Sequence, residues 1–373
     1  MKNPVKEKYM KRDFFDYSFL FLVLFLVGFG LVMIFSTSSY KSMLTYGNPY
    51  HWLVRQGMIA VAAGIVMLVI GIKFDYRVLN QKGIAQIADY GTLIFLVSVL
   101  ILGSAKNGSV RWISIAGIQI QPSEFAKIGL VIFLAYTLSH NVKRMKDWKY
   151  YIGYVLCFRC GPIILLVAFQ NLSTALVLAA ISGVMIFVVS PKSKVLLSCA
   201  GAGIVAIVMY LAFNSGYRNE RIAIWMHPET HQKGLQTTQA LYAIGSGGIF
   251  GKGLGQSLQK MGFVPESHND MIFSIICEEL GLVGAFCLIL LFMALIWRML
   301  LIAMNAKDLF GSLLVVGFMT HIGVQVFINM AVVTNTIPPT GIPLPFISYG
   351  GSSIFVVLLE MGLTLAVSRK IRM

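Results

Sequence analysis

Charge is scarce in this chain of 373 residues: Asp, Glu, Lys and Arg together make up 12% of it, and only 15 residues are acidic. Soluble domains average about 25% charged residues. Hydrophobic residues make up 57% of the chain, and the mean hydropathy is +0.78. A composition this poor in charge excludes a water-soluble globular domain, so we predict a protein that crosses a membrane several times.

Cysteine is also scarce, with five residues in the chain. All five lie in apolar stretches, and Cys157 and Cys160 have no second cysteine pair or histidine cluster to complete a zinc site. We interpret the cysteines as buried thiols and expect neither a disulfide nor a metal site. The net charge of +15 comes from Lys and Arg residues dispersed between hydrophobic runs. These cations are expected to face membrane lipids, and no nucleic-acid partner is expected.

Ten apolar runs are long enough for a membrane-spanning helix, which needs about 20 residues to cross a hydrocarbon core about 30 Å thick. The first run lacks the small-residue cleavage site of a signal peptide, so it is expected to remain as a helix. We predict an all-α polytopic membrane protein, a single domain over residues 1–373 with ten transmembrane helices. The runs lie near residues 17–36, 53–72, 84–103, 124–140, 151–169, 173–190, 195–213, 271–297, 311–333 and 352–368.

The distribution of positive charge assigns the two sides of the membrane. Alternate connecting segments hold 19 of the 30 Lys and Arg residues, so they are predicted to be cytoplasmic. Both termini are therefore cytoplasmic, and residues 214–270, between helices 7 and 8, form a large extracellular loop. Helical spacing in ERIAIWMHPET and QTTQALYAIGSGGIFG predicts short amphipathic helices in this loop, at the outer surface. The cytoplasmic segments are 1–16, 73–83, 141–150, 191–194, 298–310 and 369–373.

One charged motif leads into the fourth predicted span, in the stretch VRWISIAGIQIQPSEFAKIGL. Pro122 suits the first turn of a helix, and Glu124 and Lys127 are three residues apart, which places an acid and a base on one helical face. The two could form a structural ion pair at the edge of the membrane. Alternatively, Lys127 and Arg111 could face one pocket and bind a phosphate-bearing lipid. The spacing leaves both interpretations open.

The stretch PESHNDMIFSIICEELG holds the densest group of reactive side chains. Glu266 and Asp270 are four residues apart, with His268 between them. Asp270 is the candidate base because it lies where aqueous substrate groups would meet the membrane surface. Glu278 and Glu279 follow about two turns into the eighth span. Acids inside a membrane are functional hypotheses by default, although these two could instead pair with Arg or cap backbone groups.

The stretch NTIPPTGIPLPFISYGGSS contains four prolines and three glycines, which prevent a regular helix. Hydrocarbon cannot satisfy the backbone groups of such a segment, so it must be covered by protein or line a wet cavity. A packing role alone is one interpretation. Its hydroxyl and aromatic groups, such as those of Ser348 and Tyr349, also suit a sugar or a lipid chain.

Together these stretches resemble the SEDS family (shape, elongation, division and sporulation), which includes FtsW, RodA and SpoVE. The resemblance extends over nearly the whole chain, and its GLGQSLQK and FSTSS runs look most like the FtsW cell-division branch. It implies ten helices with internal termini in the cytoplasmic (inner) membrane of a bacterium. The four motifs that carry it, in the family's order, are LVMIFSTSS, RWISIAGIQIQPSEFAK, GKGLGQSLQKMGFVPESHNDMIFSIICEELG and TGIPLPFISYGGSS.

The resemblance also implies roles for individual residues. The family's essential acid falls on Asp270, the predicted catalytic residue. Where many members have Pro-Asp-Leu-Gly-Thr, this chain has QNLST, with Asn171 in place of the acid. A role that needs a carboxylate there is in question, and an amide-mediated turn is the alternative. The predicted substrate-binding residues are Arg111, Trp112, Glu124, Lys127, Glu266, His268, Ser348 and Tyr349.

The implied activity is that of a peptidoglycan glycosyltransferase, which polymerises lipid II into glycan strands on the outer face of the membrane. Its expected partners are a class B penicillin-binding transpeptidase and other division proteins. No soluble cofactor is required, because the diphosphate leaving group is already activated; a divalent cation on that diphosphate stays open. The alternatives are a lipid II flippase, a RodA-like elongation polymerase and a non-catalytic scaffold. A flippase should place its essential groups near mid-membrane.

Overall fold

The structure, a computed structural model, describes residues 15–106, 109–115, 118–191, 224–230 and 234–371, with a few single positions between 194 and 201. Most of the predicted seventh span and the first part of the predicted extracellular loop lie outside the described residues. The helices in these ranges are α1 (Tyr17–Tyr46), α2 (His51–Lys73), α3 (Lys82–Leu102), α4 (Pro122–His140), α5 (Lys149–Gln170), α6 (Leu172–Val189), α7 (Leu235–Ser246), α8 (Ile272–Met304), α9 (Leu309–Val333) and α10 (Gly351–Ser368). The first half of α5, Lys149–Cys160, is π-helical.

Eight of these helices, all except α4 and α7, are long and apolar enough to cross a membrane. Each of the eight coincides with a predicted span. The prediction of a mostly helical, polytopic membrane protein is therefore confirmed in the described part of the chain. The total of ten spans and the side on which the termini lie stay predictions.

Helix α4 matches the predicted fourth span and is enclosed by other helices. Most of its side chains are buried, including Glu124 and Lys127, and its neighbours are α3, α6, α9 and α10. A membrane helix with little lipid-facing surface can carry polar residues, provided that they point into the bundle. The charged motif of α4 therefore lies inside the protein.

A small antiparallel sheet precedes α4, and the all-α prediction did not include it. Strand β1 (Ser104–Lys106) pairs with β2 (Ser109–Ile115), which pairs with β3 (Ile118–Ile120). In the β2–β3 register Ile113 lies opposite Ile120. The strands were not predicted, because a search for runs of about 20 apolar residues cannot detect strands this short.

Helix α8 is broken at Gly281, whose backbone has φ 67° and ψ −167°. Residues 248–253 of the preceding loop fill the break with backbone hydrogen bonds. Lys252 N–H donates to Glu278 O (3.0 Å) and Gly253 N–H to Glu279 O (2.9 Å), while the N–H groups of the two residues after Gly281 donate to carbonyls of the loop. Without the loop these groups would have no partner in hydrocarbon. The apolar run predicted the eighth span but not this break in it.

The two acids beside this break hold the loop in place. Glu278 is fully buried, pairs with Lys252 Nζ at 2.7 Å, accepts the Ser257 hydroxyl and accepts the Leu258 N–H at 3.2 Å. Glu279 is also fully buried and accepts from Lys260 Nζ at 2.9 Å and from a serine hydroxyl of α1. Of the two interpretations, the geometry supports the structural one, with Lys in place of the expected Arg.

Other sequence expectations have mixed outcomes. Helix α7 confirms the amphipathic helix predicted in QTTQALYAIGSGGIFG, and it packs against α8 through its buried Ala240 and Ala243. Cys160 is buried, as predicted for all the cysteines. Cys157 and Cys287 are exposed on the outside of their helices, so the prediction is wrong for these two.

Candidate functional site

Asp270 lies just before α8, beside the proline-rich segment that joins α9 to α10. Its side chain is half-buried, and its Oδ2 atom lies 3.7 Å from the position that a Cβ on Gly341 would take. Its backbone carbonyl accepts a hydrogen bond of 2.8 Å from Asn329 Nδ2, which also donates to Ile342 O at 2.8 Å. The candidate base is thus attached to the proline-rich segment through Asn329.

A small cavity of about 40 Å³ adjoins the same segment. Lys127 and Glu124 lie in its wall, with Lys127 Nζ 2.8 Å from Glu124 Oε1 and side-chain exposures of 2% and 6%. The predicted ion pair is therefore present and buried. Because Lys127 also lines the cavity, its ammonium is next to the space that a ligand could enter. The lining residues are Gln121, Glu124, Lys127, Asn171, Thr174, Val177, Gln325, Gly341, Ile342 and Pro343.

Arg111 lies on strand β2 near this cavity. Its Nε donates to Gln170 O at 2.7 Å, at the end of α5 and next to the cavity residue Asn171. Trp112 follows it on the strand and is half-buried. Arg111 is not among the residues that line the cavity, so the hypothesis that Arg111 and Lys127 face one pocket stays a prediction.

Asn171 caps helix α6, which explains the departure from the family's acid at this position. Its Oδ1 accepts the N–H of Ser173 at 3.1 Å and the N–H of Thr174 at 3.4 Å. An amide oxygen caps a helix about as well as a carboxylate does. The amide-mediated turn is the interpretation that the geometry supports.

His268 and Tyr349 meet on another side of the site, around Trp52 of α2. The Trp52 ring centroid lies 5.3 Å from that of His268 and 4.9 Å from that of Tyr349. Burial lowers the pKa of His268 from 6.5 to about 4. Burial therefore favours the neutral imidazole at this position.

Two predicted binding residues have their polar atoms engaged by the protein. Ser348 Oγ donates to Asn269 O at 2.6 Å and accepts the Leu344 N–H at 2.8 Å. Glu266 has φ 56°, and its carboxylate accepts from the Asn269 side chain. Both residues contact Asn269, next to Asp270, and neither is among the residues that line the cavity.

Sequence reasoning missed a group of polar side chains inside the last two spans. His321 and Glu360 are both fully buried, and His321 Nδ1 lies 2.8 Å from Glu360 Oε2. Gln325 on α9 lies in the cavity wall. Polar residues at intervals of four in an otherwise apolar run were the signal that could have found them. Within the described residues, no group of three or more His, Cys, Asp or Glu side chains could hold a metal ion.

Comparison with known proteins identifies the family. The family model described as "Cell cycle protein", which covers FtsW, RodA and SpoVE, matches residues 17–373. The chain belongs to this family. The match includes every stretch from which the resemblance to SEDS proteins was inferred, so that prediction is confirmed.

Curated relatives of the FtsW/RodA/SpoVE family match almost end to end. A protein of Geobacter metallireducens named probable peptidoglycan glycosyltransferase FtsW is 34% identical, and the alignment covers 96% of each chain. Stage V sporulation protein E of Bacillus subtilis is 36% identical over 95% of this chain and 97% of its own length. These names agree with the resemblance to the FtsW branch.

Solved structures of the same family share the fold. A chain from a peptidoglycan synthase complex, studied for the coordination of polymerization and crosslinking, superposes with a TM-score of 0.80 at 28% identity, covering 96% of this chain and 98% of its own. The rod shape determining protein RodA of Thermus thermophilus superposes with a TM-score of 0.70 at 28% identity over the same shares of the two chains.

Proposed function

We propose that this protein is a peptidoglycan glycosyltransferase that polymerises lipid II into glycan strands for septal cell-wall synthesis. One observation carries the proposal: a half-buried carboxylate, Asp270, and a buried ammonium, Lys127, lie around the same residues, Gly341–Pro343. Glycosyl transfer from a lipid diphosphate needs a base and a cation within one site. The relatives named peptidoglycan glycosyltransferase FtsW support the assignment.

The chemistry follows from these two groups. A GlcNAc hydroxyl oxygen attacks the anomeric carbon of MurNAc, and the proton of that hydroxyl passes to the Asp270 carboxylate. The bond from the anomeric carbon to the diphosphate oxygen breaks, and undecaprenyl diphosphate leaves with the electron pair. Lys127 in the cavity wall and Arg111 beside it stabilise the negative charge of the leaving group. The reaction needs no cofactor, because the diphosphate already activates the sugar.

The proposal includes the membrane topology on which the chemistry depends. Ten spans with both termini in the cytoplasm would place Asp270 and the loop before α8 on the outer face of a bacterial cytoplasmic membrane. The predominance of Lys and Arg in the opposite connecting segments supports this orientation. A class B penicillin-binding transpeptidase is the proposed partner, supported by the similarity to a chain of a peptidoglycan synthase complex.

A second candidate function, lipid II transport, is favoured by one observation. The pair His321 and Glu360 is fully buried in the spans α9 and α10, and buried ionisable groups of this kind occur along transport pathways. Asp270 and the cavity argue for chemistry instead, since a transporter does not need a base at the membrane surface.

The experiment that separates the functions uses the purified full chain and lipid II, with and without its cognate transpeptidase. Glycan strands in detergent, where no second compartment exists, would support the polymerase. Movement of lipid II across vesicles without glycan product would support the flippase. If the protein neither polymerises nor transports lipid II, even with the transpeptidase, a non-catalytic scaffold is the remaining function.

A further inference from the structure

Three polar side chains form a row along helix α9: His321, Gln325 and Asn329. All three are buried, with exposed fractions of 0%, 1% and 1%. Residues four apart on a helix lie on the same face, and α9 is otherwise apolar enough to cross the membrane. A polar row in such a helix is costly unless each member has a partner.

The outer member of the row, Asn329, holds the candidate base. Its Nδ2 donates to the Asp270 carbonyl and to the Ile342 carbonyl, both at 2.8 Å. One amide group thus connects Asp270 to the proline-rich segment. The backbone of Asp270 cannot shift along α9 without breaking this contact.

The middle member, Gln325, connects the same segment to the candidate cation. Its Nε2 donates to Pro343 O at 3.0 Å, which turns its carbonyl oxygen away from that segment. The oxygen accepts from Lys127 Nζ at 3.4 Å and lies 2.6 Å from His321 Nε2. Because these partners assign the orientation of the amide, Gln325 serves as a bridge between Pro343 and Lys127.

The inner member, His321, completes the row. Its Nε2 lies 2.9 Å from Lys127 Nζ and 2.6 Å from Gln325 Oε1, so one ring nitrogen is in hydrogen-bond range of both the ammonium and the amide. Its Nδ1 lies 2.8 Å from Glu360 Oε2, which fixes the ring plane. Glu124 pairs with Lys127 at 2.8 Å, so the two buried charges balance each other. This balance is what allows Lys127 to be held in the membrane interior.

We propose that the row His321, Gln325 and Asn329 is a positioning device that fixes Lys127 relative to Asp270. The inference rests on the proposed function and adds three residues to it. The base and the cation lie on different segments of the chain, and α9 contacts both of them through hydrogen bonds. A misplacement of about 1 Å between reacting groups can cost about 100-fold in rate.

Gln325→Met tests the proposal, because methionine matches the length of glutamine and makes none of its hydrogen bonds. We expect kcat for lipid II polymerisation to fall about 10- to 100-fold while KM changes less than threefold. The matched control is Thr320→Val on the same helix, since Thr320 is also buried but bonds only to the carbonyl of Val316 in its own helix. Thr320→Val should keep kcat within twofold.

A double-mutant cycle separates positioning from general damage. In a Glu124→Gln/Lys127→Met background, which leaves no buried charge unpaired, Gln325→Met should cause little further loss if it acts through Lys127, whereas independent damage would multiply. Full multiplication of the two losses would overturn the proposal. If Gln325→Met melts at a lower temperature than Thr320→Val, Gln325→Glu replaces it, because it keeps the acceptor oxygen and removes the donor to Pro343. A normal kcat for Gln325→Glu would also overturn the proposal.

Failure of this inference is distinguishable from failure of the proposed function. If Asp270→Asn is inactive and Gln325→Met is normal, the polymerase stands and the positioning role falls. If the wild-type chain makes no glycan from lipid II, with or without its transpeptidase, the proposed function itself falls, whatever Gln325→Met does.

Discussion

The two side chains at the centre of the proposed chemistry have different surroundings. Asp270 is half-buried, and its replacement by asparagine is nearly isosteric, so its charge can be removed with little change in packing. Lys127 is 2% exposed and neutralises Glu124, which is buried with it. Removing one member of a buried ion pair costs about 3–5 kcal/mol, because the other charge is stranded. The base can therefore be tested by a single substitution, whereas the cation needs a compensating one.

Asp270→Asn should abolish most of the polymerase activity and leave the fold intact. The substitution is nearly isosteric, and the Asp270 carbonyl that Asn329 holds is unchanged. We expect a fall of about 10²–10⁴-fold in kcat, the usual worth of a general base, measured with purified protein and lipid II. The control is Asp147→Asn, which alters an exposed acid far along the chain from the site. Near-normal glycan synthesis by Asp270→Asn would contradict the assignment of Asp270 as the base and make Glu266 the next candidate.

Lys127→Met should lose activity and also folded protein, since it strands the Glu124 carboxylate. The double variant Glu124→Gln/Lys127→Met removes both charges and should recover much of the yield and melting temperature. If Lys127 supports the diphosphate, the double variant should remain at least tenfold below wild type in polymerisation. Wild-type polymerisation by the double variant would restrict Lys127 to bracing Glu124.

At the scale of elements, the break in α8 shows how a loop becomes part of a membrane helix. Gly281 has a positive φ, and a Cβ there would lie 2.3 Å from Gly251 N and 2.4 Å from Ile249 O. Any side chain at this position would push the loop out of the break. Glu278 and Glu279 also fix the loop, through ion pairs with Lys252 and Lys260.

Gly281→Ala should therefore destabilise the protein far more than an alanine elsewhere in a span. The backbone conformation alone costs about 1–3 kcal/mol for a residue with a Cβ, and the clash with the loop adds to it. The control is Gly28→Ala in α1, where nothing lies within 4 Å of the added Cβ and helix propensity favours alanine. Equal melting temperatures of the two variants in detergent would contradict the account of the break.

The elements show where sequence reasoning reaches its limit. Apolar length alone located the spans, because a membrane helix is set by its own sequence. The break at Gly281 depends on a loop that returns to it, and a glycine in an apolar run does not report such a contact. The motifs placed Asp270 and Lys127 in one site only by resemblance. Their shared contact with the proline-rich segment, and the part that Gln325 plays in it, arise from packing between distant segments.

At the scale of the whole molecule, the predicted orientation can be tested by labelling. Gln256 is exposed, whereas its neighbour Ser257 is buried and bonded to Glu278, so Gln256→Cys is the better reporter. In a background without native cysteines, it should react with an impermeant thiol reagent in intact cells. Lys143→Cys, in a predicted cytoplasmic segment, should react only after lysis. The reverse pattern would invert the topology and remove the outer-face chemistry with it.

The loop that fills the α8 break also sets an order of events during synthesis. Residues 248–253 leave the ribosome before α8 does, so the donors and acceptors that α8 lacks are already made when the helix enters the bilayer. Until the helix is inserted, the loop can satisfy its backbone groups with water, whereas the helix inside the bilayer cannot. The segment that is stable in water without its partner is therefore synthesised first. The break in α8 is completed only when the loop and the helix meet, and Asp270 lies in the chain between them.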